Sequence, residues 1–218
     1  YLLARWAGDV QGEGYLDAFR ISGNPAIGAA TITRLGFIAS GGYTWDSFAP
    51  GDIAPQQGTP AKIDTGDDRL LSVCLRNGVL YCSHTALLPA GGTARSAAQW
   101  WEIDTGTWSV RNLGRIDDSS GAVLYAFATL AVNADDDLLL GMARFSAGGF
   151  ASAAYVYRPN GGALQTPVIY ANGRAMYVKT FGGHANRWGD YSATMVDPEN
   201  DRDFWTVQEY AETPANTW

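Results

Sequence analysis

Lysine is almost missing from this sequence. Of fifteen basic residues only Lys62 and Lys179 are lysines, set against twenty-two acidic ones, and the formal charge is −7 over 218 residues. No basic stripe forms, which argues against a nucleic-acid partner. Long apolar runs are missing too: the longest, residues 122–132, is about half of the roughly 20 residues a membrane helix needs, so no membrane span is expected. Cysteine and histidine are scarce, with Cys74, Cys82, His84 and His184 alone. Without a CxxC or HxxxH spacing they do not make a zinc centre. No stretch places apolar residues at i, i+3, i+4 and i+7 over ten or more positions, so no helix is predicted. An initiator Met and a charged-then-apolar leader are lacking at Tyr1, and the chain is expected to be a processed product or a piece of something longer.

What is present points to a packed β protein. The composition is 46% hydrophobic and 12% aromatic, which suits a globular chain, and low lysine with 26 glycines and eight tryptophans suits an extracellular one. Short apolar runs such as LLSVCLRNG, AQWWEID, DLLLGMARFS and FWTVQEY are bounded by Gly, Asn, Asp and Pro at eight- to twelve-residue intervals. The pattern predicts an all-β sandwich, barrel or propeller.

A repeat separates these architectures. First strands ending in a polar turn begin at Leu70, Phe127 and Tyr191, and second strands follow at Val79, Leu138 and Phe204, with YLLARW at Tyr1 in the same slot. Third strands are QWWEIDTGTWSV, AYVYRPNGGALQ and YLDAFRISGNPAIG; fourth segments are RNLGRI, PVIYANG and TITRLGFIAS. Four antiparallel strands recurring about every 60 residues predict a β-propeller, with blades near residues 1–57, 58–118, 119–178 and 179–218 of one domain. That spacing gives about three and a half blades, fewer than the typical minimum of four, so the ring is expected to be completed by further sequence or by another subunit.

IDTGDDRLLSVCLRNGVLYCSHT (residues 63–85), ATLAVNADDDLLLGMARFSA (128–147) and KTFGGHANRWGDYSATMVDPENDRDFWTVQEYA (179–211) resemble segments of large secreted bacterial proteins carrying an uncharacterised, sialidase-like β-propeller domain. The similarity covers most of the chain from Gly58 onward, and RWGDYSA is its most specific part. The resemblance implies an exported protein whose propeller is one module among several, and it brings no established catalytic residues. IDTGTW offers Asp104, Gly106 and Trp108 of an Asp-box turn, but Trp108 comes one residue early and Glu102 stands where Ser or Thr belongs.

The chemistry-bearing residues fall into three groups. Cys74 and Cys82 flank Asn77-Gly78: a two-residue type I′ turn would put the sulfurs on opposite faces, whereas a three-residue loop would pair them in a disulfide. The acids Asp197, Asp201 and Asp203 lie in DPENDRD, equivalent in the repeat to ADDD (134–137) and RNG (76–78). A feature recurring at one turn whatever its charge is first a turn, and calcium is the lesser reading because the DxDxDG pattern is not met. No other cofactor is indicated. On the loop face the repeat places His84, Arg144, Glu209 and Tyr210 near second-strand ends, with His184, Arg187, Trp188 and Asp190 on an entry loop. Aromatics with arginines and carboxylates suit a glycan or peptide ligand, and they suit blade packing equally. Two functions are expected from this: a non-catalytic module that serves as scaffold or binder of glycan or protein, or a glycan-active hydrolase or lyase using paired carboxylates.

Overall fold

The computed structural model describes residues 1–189 and 191–218. It is all-β, in four consecutive antiparallel sheets, with no α-helix among the described residues. Sheet 1 is β1 (Leu2–Ala7), β2 (Tyr15–Asn24) and β3 (Ala29–Ala39). Sheet 2 is β4 (Ser72–Arg76), β5 (Val79–Leu88), β6 (Arg95–Asp104) and β7 (Ser109–Ile116). Sheet 3 is β8 (Val123–Val132), β9 (Leu138–Ser146), β10 (Gly149–Arg158) and β11 (Val168–Ala171), and sheet 4 is the hairpin β12 (Ala193–Val196) and β13 (Phe204–Val207). Each sheet is a simple meander, in the strand order that the repeat predicts.

Local chemistry sets the turns. Asn77 and Gly78 both take positive φ, 48° and 77°, so the β4–β5 loop has two residues, the type I′ geometry that Asn-Gly favours. Arg76 therefore faces Val79, and Cys74 faces Tyr81. The three-residue alternative is not adopted, and the disulfide it would allow is absent: both thiols are free and point to opposite faces, Cys74 towards sheet 3 and Cys82 towards sheet 1. At the β6–β7 turn the Asp104 carboxylate accepts hydrogen bonds from the Gly106 and Thr107 amides at 2.8 and 2.9 Å, a turn-forming role.

Packing explains the composition. β5 is buried at every residue, and β6 and β8 nearly so, because sheets 2 and 3 are covered on both faces. Odd-numbered Val79 and Tyr81 join Leu130, Leu140, Met142 and Val156 of sheet 3, while even-numbered Leu80 and Cys82 join Leu16, Ile38 and Trp45 on the side of sheet 1. The period of two in a strand thus serves two separate cores. Sheet 4 is attached differently, by hydroxyls: Thr129 and Thr194 meet at 2.9 Å, Thr194 and Thr206 at 2.9 Å, and Gln208 Nε2 donates to Thr129 at 3.0 Å. Gly141 makes that approach feasible, since a Cβ there would lie 2.2 Å from Thr206 Oγ1.

First strands lie side by side, and so do their turns. Leu130 N donates to Ser72 Oγ, linking β8 to β4. Arg76 forks onto both oxygens of Asp201 and also donates to Val132 O. Asn77 donates to Asp136 and Ala134 N to Asp201 O, so the turns of sheets 2, 3 and 4 form one continuous row.

Because Leu140 is fully buried between sheets 2 and 3, Leu140→Ala is expected to cost about 2–5 kcal/mol in urea unfolding. Leu75→Ala, on an exposed face of β4, should cost within about 0.5 kcal/mol. Equal costs would refute the two-sided core.

Candidate functional site

At the end of the sheets opposite this turn row, three contiguous clefts share residues. One, of about 270 Å³, is lined by Phe48, Asp52, Asp64, Asp67, Arg69 and Arg187 among others. A second, of about 420 Å³, shares Asp67, Arg69 and Arg187 and adds Thr85 and Tyr191. The third, of about 140 Å³, brings Arg187, Trp188 and Tyr191 beside Glu209, Phe181 and Trp218. Arg187 borders all three.

Two stretches of irregular chain build this mouth, residues 40–71 and 172–189, and buried amides hold them together. Asn186 donates from its backbone to Asp52 at 2.7 Å, from Nδ2 to Lys62 O and Tyr177 O at 2.9 Å each, and accepts from Lys179 N at 2.7 Å. Its carbonyl accepts from Asp64 N at 2.9 Å. Gln56 brackets Tyr177, donating to its carbonyl at 2.6 Å and accepting from its amide at 2.7 Å. These bonds replace the ladder that irregular backbone lacks.

A bulge in β8 supplies the floor. Ala126 pairs with Ala143 but Thr129 with Gly141, so Phe127 and Ala128 together oppose Met142, and Phe127 takes φ 56°. Phe127 N donates to Thr85 Oγ1 at 3.1 Å, and Ser192 Oγ donates to Phe127 O at 3.1 Å, so sheet 2 and the approach to sheet 4 pin the bulge from both sides. Its ring presses on two glycines: a Cβ at Gly189, itself at φ 71°, would lie 2.4 Å from the ring, and one at Gly66 would lie 2.9 Å away.

The residues singled out from sequence separate into two sets. Arg187, Trp188 and Glu209 converge on one cleft, where Glu209 accepts from Gly189 N at 3.0 Å. Trp188 contributes an edge, being 4% exposed and packed edge-on against Tyr177 and Phe145; its Nε1 has no hydrogen-bond partner among the described residues. Asp190 lies outside the described residues. The remaining four stand elsewhere. Arg144 sits within β9 opposite Tyr125 and Ser152, Tyr210 donates to Glu212 at 2.9 Å, and His184 is exposed and does not itself line the clefts, although its loop does. His84 is fully buried, between Trp45 and Trp101 at ring separations of 4.9 and 6.3 Å. Its Nδ1 meets Thr85 O at 2.9 Å, which makes it a core histidine.

The acids weighed for calcium are committed to the turn row. Asp201 is held by Arg76, Asp197 accepts from Trp205 Nε1 and Glu199 N, and Asp203 accepts from Asn200. The Arg76 guanidinium keeps Asp201 below the usual carboxylate range, and the Glu199 amide with Trp205 does the same for Asp197. Among the described residues no group of three His, Cys, Asp or Glu converges as a metal site.

Sequence reasoning missed Asp52, Asp64, Asp67 and Arg69. Burial pushes the Asp67 carboxyl up, but the Arg69 side chain and amide outweigh it and hold it below the ordinary range. The signal that was there is the length of irregular chain between β3 and β4, residues 40–71, since long unstructured connections in compact domains are often functional. No protein-family model matches this chain, and neither a curated protein nor a solved structure does.

Two outcomes follow from this geometry. Gly189→Ala, forcing a side chain into a left-handed position against Phe127, should cost upwards of about 1–3 kcal/mol in thermal unfolding and broaden NMR signals of Arg187 and Tyr191. Burial pushes His84 down from 6.5 to about 4. The unfolded chain therefore binds the extra proton first, and this contribution to stability, full above pH 6.5, is lost as pH falls towards 4, by about 3 kcal/mol in all. The His84 ring carbon signal should stay at its neutral position down to pH 5; movement near pH 6.5 would contradict the buried assignment.

Proposed function

We propose that this chain is a non-catalytic β-propeller module of an exported, sialidase-like bacterial protein, and that its mouth binds a glycan. The observation that carries the reading is the convergence of Arg69, Arg187, Glu209 and Asp67 with Tyr191, Phe48 and the Trp188 edge on contiguous clefts. Sugars are held by stacking on aromatic faces and by forked hydrogen bonds from arginine and carboxylate, and both kinds of group are at hand.

The propeller reading draws on the serial meanders, with first strands β4, β8 and β12 side by side and their turns in a row. Completion of the ring by further sequence or another chain is supported by sheet 4, which has two strands and leaves Trp205, Met195 and Val207 exposed. Export draws on the RWGDYSA resemblance and the lysine-poor composition. Asp67, held low by Arg69, does not suit the general acid of a hydrolase.

Affinity electrophoresis through a panel of soluble neutral and acidic polysaccharides tests this. Retardation by at least one polymer is expected, weakened ~10–100-fold by Arg187→Ala or Tyr191→Ala, with no new reducing ends after prolonged incubation. Release of reducing sugar would establish the enzyme reading instead, and retention unchanged in both variants would remove the mouth as the site.

A further inference from the structure

A separate cleft opens at the turn end of the molecule, between sheets 2 and 3, and shares no residue with the mouth. Its floor is a cross-strand row. Tyr81 on β5 pairs with Glu102 on β6, and Glu102 with Asn112 on β7, so the three stand on one face of sheet 2. From sheet 3, Arg158 at the end of β10 lays its guanidinium 4.9 Å above the Trp100 ring and is paired in charge with Glu102 Oε1. Asp136, Asn160 and Arg111 form the rim, and the enclosed volume is about 300 Å³.

This cleft is built rather than incidental. Arg158 and Glu102 are each about nine-tenths buried and hold one another as an ion pair in its floor. A charged pair fixed in this way keeps the remaining donors and acceptors of the lining in one place. The charges define what can enter: Arg111 and Arg158 balance Glu102 and Asp136, so the lining has no net attraction for an ion. What it offers is donors and acceptors interleaved, from guanidinium, amide, phenol and carboxylate, around a space fitting one or two sugar rings. Hydroxyls on adjacent carbons, each able to donate and accept, match that arrangement.

We propose that this cleft binds a neutral saccharide unit, giving the chain a second sugar subsite on the end remote from the mouth. Arg111, Asn112 and Asn160 read the hydroxyls at the rim, and Glu102 with Arg158 reads them at the floor. The subsite does not depend on the mouth being a glycan site.

Calorimetric titration with maltotriose, cellotriose, xylotriose and chitotriose, beside glycine and succinate as zwitterionic and anionic probes, tests it. At least one neutral trisaccharide should bind saturably. Arg111→Ala and Asn160→Ala, both on the exposed rim, should weaken that binding ~10-fold or more while the thermal midpoint stays unchanged, and Arg187→Ala at the mouth should leave it as in the parent protein. No saturable binding of any trisaccharide at ~10 mM, binding of glycine or succinate instead, or binding lost in Arg187→Ala but kept in the rim variants would each overturn the proposal.

Discussion

The structure depends on sheets being buried on both faces. With no α-helix among the described residues, the second face of a sheet is covered by another sheet or by irregular chain: β5 and β6 lie between sheets 1 and 3, and β8 meets sheet 2 on one side and apolar residues of the long loops on the other. Sheet 2 is held between sheets 1 and 3 by two cores that share no side chain, one containing Trp101 and Trp45 and the other Trp100 and Leu140. The consecutive tryptophans Trp100 and Trp101 face opposite ways, and each anchors a different neighbour. Apolar burial at this density accounts for a 46% hydrophobic composition in a protein with no membrane-length helix among its described residues.

Around this apolar stack the connections are polar and specific. The hydroxyl contacts of Thr129, Thr194 and Thr206 seat sheet 4 without a core of its own, and the amides of Asn186 and Gln56 seat the long loops. The Phe127 bulge links the two regimes, with its ring in the apolar cluster beneath the mouth and its backbone bonded to Thr85 and Ser192. Strain at Phe127 is tolerated because its neighbours leave it no other place, and two glycines clear the space its ring occupies. A rigid floor of this kind lets exposed Arg187 and Tyr191 stand at fixed positions above it.

Strand order was legible from sequence because a period of two and an Asn-Gly turn are local signals, and the β4–β5 register is the one of the two that a two-residue Asn77-Gly78 turn gives. That His84 packs against Trp45, on the long loop before β4, was not legible. The mouth was half legible. Arg187, Trp188 and Glu209 sit at the two ends of one hairpin segment and were found by its repeat, whereas Asp52, Asp64, Asp67 and Arg69 lie on chain without periodicity. Those loops are placed by side chains reaching 121 and 134 residues along the chain, from Gln56 to the Tyr177 carbonyl and from Asp52 to the Asn186 amide, and no local pattern announces such bonds.

The bond from Arg76 to Asp201 spans 125 residues, skipping all of sheet 3 in sequence while passing the end of β8 at Val132. A repeat protein whose units touch only their neighbours assembles in any order, like beads on a string. Here two sheets that are not consecutive are tied directly: the acidic turn of sheet 4 closes on Arg76 of sheet 2 across the end of β8, so one guanidinium couples three successive sheets.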